Sequence, residues 1–238
     1  VVRRAAVEAL GPYNGTVVAV DSTSGRVLTM VNQKVALTSG FQPCSILKVA
    51  VSLAALSEGV IGRSTPLRLT RRSSLDLTEA LAHSNNPYFV RLGEKLGFER
   101  LSYYARLFGL GEKAGLNIRG EQAGVFPDAP PKDGGVGMLA SFGTGVSLTP
   151  LELAAFLAAV SNGGTLYYLQ YPESQREVEQ FVPRIKRRLD IARWTADIKP
   201  GLTGAVEYGT ARKAFYNAEA PICGKTGTCT GGTTHLGW

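Results

Sequence analysis

Ser45 and Lys48 stand three positions apart at the start of a long apolar stretch, so on a helix a hydroxyl and an amine project from one face. A serine there sits at a helix N-terminus, where the dipole and free N–H groups favour a developing anion. The same residues also suit an N-cap serine beside an unrelated lysine. With 15 serines and 9 lysines, about 0.6 such pairs arise by chance. Ser84-Asn85-Asn86 falls at the junction of two helical patterns, where Asn86 can cap a helix whose first residue is Pro87. Lys225-Thr226-Gly227 lies in a terminal β-type segment, and its chance expectation is only about 0.08. Together, in this order, the three patterns have a joint chance of about 0.3%.

Other chemistries fit less well. Gly224-Lys225-Thr226 ends like a phosphate loop, but the glycine that loop needs is Glu219 and no helix-forming stretch follows. Gly143-x-Gly145 opens like a dinucleotide fingerprint, yet Leu148 occupies its third glycine position. Cysteines occur at 44, 223 and 229 without a C-x-x-C, and His83 is far from His235. No metal site is expected, nor any other cofactor, and His83 reads as a helix-end or packing residue.

These candidates need elements to hold them. Residues 15–21 and 26–32 are β-rich around the turn 22–25, which predicts a β-hairpin preceded by a short helix over 2–10. Residues 45–59 predict a helix apolar on all sides, hence buried. Apolar spacing near three to four predicts helices over 76–83, 87–96, 99–108 and 150–161, with another over 191–207. The Gly- and Pro-rich stretch 120–143 reads as loop, and β-type residues return at 221–230. The expected fold class is α/β (α+β): an antiparallel sheet flanked by helices, with an all-helical sub-domain. Residues 1–238 then form a single domain, its α/β part about 1–58 and 165–238 and its helical part about 59–164.

Composition bounds the partners. The chain has 238 residues, 44% hydrophobic and 19% charged, which excludes a disordered or collagen-like protein. Its apolar stretches are far shorter than a membrane span, and the start carries no signal peptide. The net charge is +7, but the basic residues are dispersed. The densest run, Arg184 to Arg188, reads as a solvated face rather than a phosphate-binding patch, and no nucleic-acid partner is expected.

The three motifs resemble those of the penicillin-recognising active-site serine enzymes, and more closely the penicillin-binding protein transpeptidases. The likeness extends to further segments. Residues 80–89 look like the family's second-motif helix, and 120–127 resemble its G-E-x-x-G-x-x-P loop. Residues 142–145 with 148–154 resemble its "G-x-G … T-P-L-Q-L-A" segment, and Gly209-Thr210-Ala211 also fits.

That resemblance implies a β-lactamase/transpeptidase-like fold and acyl transfer by a covalent serine. It makes Ser45 the nucleophile, Lys48 the proton acceptor and Ser84 a proton relay toward the leaving amine. Asn86 would hold the amide side of the substrate, while Lys225, Thr226 and Thr228 bind its carboxylate. Backbone N–H groups of Ser45 and Thr228 would form the oxyanion hole. Gly227 is expected because a side chain there would crowd a ligand lying along the strand. The implied partners are peptidoglycan stem peptides ending in D-Ala-D-Ala, β-lactam antibiotics and other cell-wall synthesis proteins. The implied location is the extracytoplasmic face of a bacterial membrane, with the anchor outside this chain. Related readings are a D,D-carboxypeptidase or serine β-lactamase, and one of another class is a non-catalytic β-lactam sensor or scaffold.

The sequence departs from the family in three places. Ser45 and Ser84 are 39 positions apart, a short spacing that predicts a more open cleft rim near 63–74. The chain stops at Trp238, where the family continues into further strands and a C-terminal helix. Cys44 stands where the family usually has glycine, and Cys229 follows Lys225-Thr226-Gly227-Thr228. The two cysteines read either as small buried residues or as a redox pair whose disulfide closes the site.

Overall fold

The computed structural model describes residues 1–116, 118–214, 216–231 and 234–238. Helix α1 (Val2–Leu10) leads into β1 (Val17–Val20) and β2 (Val27–Val31), followed by α2 (Gln33–Ala36). A 3-10 turn at Cys44–Leu47 runs directly into α3 (Lys48–Ser57). Strands β3 (Leu67–Arg68) and β4 (Ser74–Leu75) precede α4 (Leu77–Ala82), α5 (Asn86–Leu96) and α6 (Phe98–Leu107). Next come α7 (Gly135–Phe142), α8 (Pro150–Ser161), β5 (Thr165–Tyr167), α9 (Gln175–Glu179) and β6 (Ile185–Arg188). The order ends with α10 (Ala192–Glu207), a 3-10 turn at Arg212–Ala214, β7 (Thr228–Gly231) and β8 (Thr234–Gly237).

The fold is mixed α/β, with small antiparallel sheets flanked by helices. Where the sequence suggested one sheet, the described residues form four two-stranded sheets: β1-β2, β3-β4, β5-β6 and β7-β8. Register shifts at Ala19/Val20 and Leu166/Tyr167 interrupt two of the ladders. Isolated bridges such as Arg26–Gln170, rather than continuous strands, extend them. No helix among the described residues is long and apolar enough to cross a membrane.

Contacts divide the chain into two compact units, and the helices within 59–164 are shared between them. The first comprises residues 1–41, 105–126 and 147–192. Its α8 buries Leu151, Leu153, Phe156 and Ala159 and packs against β1 and β5. A capping box starts this helix: the Glu152 N–H donates to Thr149 Oγ1 at 3.1 Å, and the Thr149 N–H to Glu152 Oε2 at 2.6 Å. Glu152 Oε1 also accepts from the Gly111 N–H at 2.8 Å. Burial raises the Glu152 carboxyl pKa against the lowering effect of these donors. Glu121 likewise accepts from the N–H groups of Ala114 and Gly115. In the basic run, Lys186 pairs with Glu112 at 3.2 Å and donates to the Lys113 carbonyl, while Arg187 forks onto Glu112. Two of its cations are therefore committed internally, rather than forming a purely solvated face.

The second unit comprises residues 42–104, 127–146 and 193–238. Its α3 is buried continuously from Lys48 to Leu56, as the all-round apolar pattern predicted. One helix here overturns the sequence reading. Residues 135–142, expected as loop, are α7, and this helix packs along α5. Glycine lowers helix propensity, which is why the stretch reads as loop. The same glycines make the packing feasible. A Cβ on Gly137 would lie 2.8 Å from Val90 Cγ1, and one on Gly93 would meet Ala140 Cβ and the Val136 carbonyl. Tertiary contact here outweighs local preference.

Gly93→Val should therefore destabilise the protein by about 1–3 kcal/mol through overpacking. Urea denaturation should show a lower midpoint with an unchanged slope.

Candidate active site

The first motif sits on the turn before α3. Ser45 lies inside the 3-10 turn, which the Ile46 N–H closes by donating to the Pro43 carbonyl at 3.1 Å. Lys48 is the first residue of α3, three positions on, and is fully buried. Cys44, just before Ser45, takes a left-handed φ of 52°.

The second motif sits on the bend between α4 and α5. His83 ends α4, as expected of a helix-end residue, and Ser84 follows with a φ of 53°. This left-handed step is unusual for serine and turns the chain sharply. The helix cap is Asn85 rather than Asn86: Asn85 Oδ1 accepts the Tyr88 N–H at 2.9 Å. Asn86 is already helical, one turn position too late to cap, so its amide is left for other partners.

Those partners meet at Lys48. Its Nζ donates to Asn86 Oδ1 at 2.6 Å, to the Ser84 carbonyl at 2.8 Å and to Ser84 Oγ at 3.2 Å. Lys225 Nζ reaches the same Ser84 Oγ at 2.8 Å and also donates to the Thr226 carbonyl. Ser84 Oγ thus lies between two amines. Neither amine is in an ordinary state. Burial, and secondarily the Lys225 charge, lower the Lys48 pKa to about 7. Burial alone lowers that of Lys225 to about 8.

The third motif is not itself strand, in contrast to the sequence reading. The β7 ladder begins at Thr228, and only the reciprocal pair of Gly227 and Trp238, at 2.8 and 3.2 Å, carries it further back. Gly227 has a packing reason beside the one expected. A Cβ there would lie 3.0 Å from the Pro43 carbonyl and from Ile46 Cγ1. The glycine lets this segment approach the Ser45 turn, so a side chain there would crowd protein as well as the cavity that Gly227 lines.

Around these groups lies a cavity of about 460 Å³, lined by Ser45, Ser84, Asn86, Thr226 and Thr228. Gly227 lines it too; of the predicted site residues Lys48, Lys225, Cys44 and Cys229 are not in this lining, and the two lysines reach Ser84 from behind it. Thr210, Gly237 and Trp238 complete the wall, and sequence reasoning assigned none of them a role. The Thr226 hydroxyl donates to Thr210 Oγ1 at 2.7 Å. Thr210 is set there by Gly209, whose Cβ would run into the Ala82 carbonyl. The motif Gly209-Thr210-Ala211 was the available signal. Trp238 Nε1 donates to the Gln42 carbonyl at 3.0 Å. Cys44 and Cys229 are joined as a disulfide, with Cα atoms 5.7 Å apart, and the cavity stands open beside the bond. Among the described residues no cluster of His, Cys, Asp or Glu could hold a metal ion.

A hydroxyl at a helix start, a partly neutral amine one turn away and a second hydroxyl bridging to a second amine can activate a nucleophile and move its proton. Comparison with known proteins places the chain in a family. The family model described as penicillin binding protein transpeptidase domain matches residues 15–235. The chain belongs to the penicillin-binding protein transpeptidase family. It is 30% identical over 223 residues to Stage V sporulation protein D of Bacillus subtilis, covering 84% of this chain and 34% of that protein. It is 28% identical over 200 residues to peptidoglycan D,D-transpeptidase FtsI of Escherichia coli K12, covering 71% and 33%. The chain thus spans about a third of the length of these curated relatives. A chain of a solved peptidoglycan synthase complex superposes with a TM-score of 0.76 at 27% identity, over 92% of this chain and 47% of that one. PBPA of Mycobacterium tuberculosis gives 0.79 at 23% identity, over 96% and 65%, a likeness of fold.

The two lysines of this transpeptidase-family site should be visible by ¹³C NMR of labelled side chains. Lys48 should titrate near pH 7, and in Lys225→Met its midpoint should rise toward the ordinary value of 10.5, because a like charge has been removed.

Proposed function

We propose that this chain carries the catalytic part of a peptidoglycan D,D-transpeptidase that works through a serine acyl-enzyme and is acylated by β-lactams. The observation that carries this reading is the chain Lys48–Ser84–Lys225, in which one hydroxyl oxygen joins two amines whose pKa values are lowered to about 7 and about 8.

Ser45 Oγ attacks the carbonyl of the penultimate D-alanine, and its proton passes to neutral Lys48. The tetrahedral oxyanion rests on the N–H groups of Ser45 and Thr228. As the C–N bond breaks, Ser84 hands a proton to the departing D-alanine amine, resupplied from Lys48. The ester on Ser45 is then taken by an amine of a second stem peptide, and the proton path runs in reverse. Asn86 orients the substrate amide. Lys225, Thr226 and Thr228 take the terminal carboxylate, with Thr210 fixing the Thr226 hydroxyl. The reaction lies on the extracytoplasmic side of the membrane, where the wall polymer and cell-wall synthesis partners are.

The hydrolytic alternatives need a base for water. Glu121, the carboxylate nearest in sequence logic to such a role, has both oxygens on backbone N–H groups in the first unit. That supports transfer over β-lactamase turnover. The intact hydrogen-bond chain supports an enzyme over a silent sensor.

Incubation with benzylpenicillin followed by intact mass measurement tests this reading. A persistent adduct on Ser45 is expected, absent in Ser45→Ala and formed about 10²–10⁴-fold more slowly in Lys48→Ala. Rapid loss of the adduct would make the protein a β-lactamase, and no adduct at any pH would leave a scaffold. Acylation should also follow a bell in pH. It rises as Lys48 loses its proton near pH 7 and falls as Lys225 loses the charge that holds the carboxylate near pH 8.

A further inference from the structure

Two backbone amides must be aimed at one oxygen for an oxyanion hole to work, and here they sit on different segments of the second unit. Ser45 belongs to the turn before α3, and Thr228 opens β7. Among the described residues β7 pairs only with β8, so no strand ladder ties it to the Ser45 turn. The covalent link does, beside the Trp238 indole on the Gln42 carbonyl and the packing of Gly227 on Pro43 and Ile46. Cys44 is the residue before Ser45 and Cys229 the residue after Thr228, and their bond holds the two Cα atoms 5.7 Å apart. Each proposed donor is therefore one residue from the same cross-link.

Cys44 pays for that placement with a left-handed backbone, φ 52°, a conformation in which a Cβ is strained and glycine is not. Such strain persists where the surroundings hold it, and here a bond to Cys229 does so.

We propose that the Cys44–Cys229 disulfide is a positioning element of the oxyanion hole, reversible by thiol exchange. The proposal rests on the acyl-transfer reading above. Cys44 is buried and Cys229 half-buried, so an incoming dithiol attacks the Cys229 sulfur. The S–S bond breaks, Cys44 leaves as a thiolate and takes up a proton, and a mixed disulfide remains on Cys229. The second thiol of the reagent then displaces Cys229. Two protein thiols and one oxidised dithiol result, with two electrons transferred. The bond does not shut the cleft, since the cavity is open with it formed. Reduction instead frees β7 to drift from the Ser45 turn and lowers the rate of acylation, while the lysines and Asn86 still bind.

The test uses Cys223→Ser, which removes the free, exposed third thiol. Acylation by a fluorescent penicillin is followed before reduction with dithiothreitol, after it, and after reoxidation, with far-UV circular dichroism at each stage. The saturating acylation rate should fall about tenfold or more on reduction, since losing one oxyanion donor outright costs about 10²–10³-fold. The concentration giving half that rate should change less than twofold, and reoxidation should restore the rate. Cys44→Gly, which relieves the strained φ, and Cys229→Ala should each show the low rate with or without dithiothreitol. Equal rates in the oxidised and reduced protein would overturn the proposal. So would a loss of helical signal on reduction, which would make the bond a staple of the fold instead. Absence of acylation in both states would overturn the acyl-transfer reading itself.

Discussion

A primary amine buried in an apolar helix governs this structure. Lys48 has no exposed surface, and α3 behind it is hydrophobic to Leu56. Moving its pKa from 10.5 to about 7 corresponds to about 5 kcal/mol against the charged form. The sign follows from the lowered value. Below pH 7 both folded and unfolded chains carry the proton, and the whole penalty weighs on the fold. As pH rises toward 10.5 the folded chain has already released it and the penalty fades. Three acceptors, the Asn86 amide oxygen and the carbonyl and hydroxyl of Ser84, offset part of this cost. The bend between α4 and α5 must therefore bring a backbone carbonyl and two side chains to one point.

That requirement accounts for where the backbone is strained. Among the described residues, three that are not glycine have left-handed φ: Asn32, Cys44 and Ser84. Asn32 starts α2, a position that tolerates asparagine in this conformation. The other two flank the cavity, where a smoother turn would point Ser84 Oγ and the Ser45 amide elsewhere. Strain of this kind costs about 1–3 kcal/mol per residue. It is sustained by the bonds on either side, Lys48 and Lys225 at Ser84 and the disulfide at Cys44.

Much of this was legible in the sequence, and the failures share a cause. Helix α8 was readable from its apolar spacing, and its start is fixed locally by the capping box of Thr149 and Glu152. The hairpin was readable from its own turn. Asn85 and Asn86 were confused because either residue suits a cap. Only the position of Lys48, distant in sequence, decides which is free. Residues 135–142 were misread because glycine disfavours an isolated helix, whereas against α5 its missing side chain is what permits contact. At Gly227 the close approach of Pro43 and Ile46 is a second reason for glycine that the sequence did not reveal. Motif spacing thus named the groups that the structure gathers around the cavity, but a packing reason for the small residues beside them lay in long-range contacts.

Charge distribution bears on which acceptor the site can serve. Among the described residues no Asp, Glu or His side chain lines the cavity, and the amines of Lys48 and Lys225 reach Ser84 beside it. The buried carboxylates, Glu121 and Glu152, are saturated by backbone N–H groups in the first unit. Under the proposed reaction the same lysine that takes the proton of Ser45 must return it to the departing amine before the acceptor arrives. Lys48 is then neutral again only if Ser84 has completed the transfer. An incoming amine brings its own higher nucleophilicity to that step, whereas water depends wholly on a base. In the proposed reaction the path through Ser84 Oγ lets one lysine serve both halves, which supports an amine acceptor.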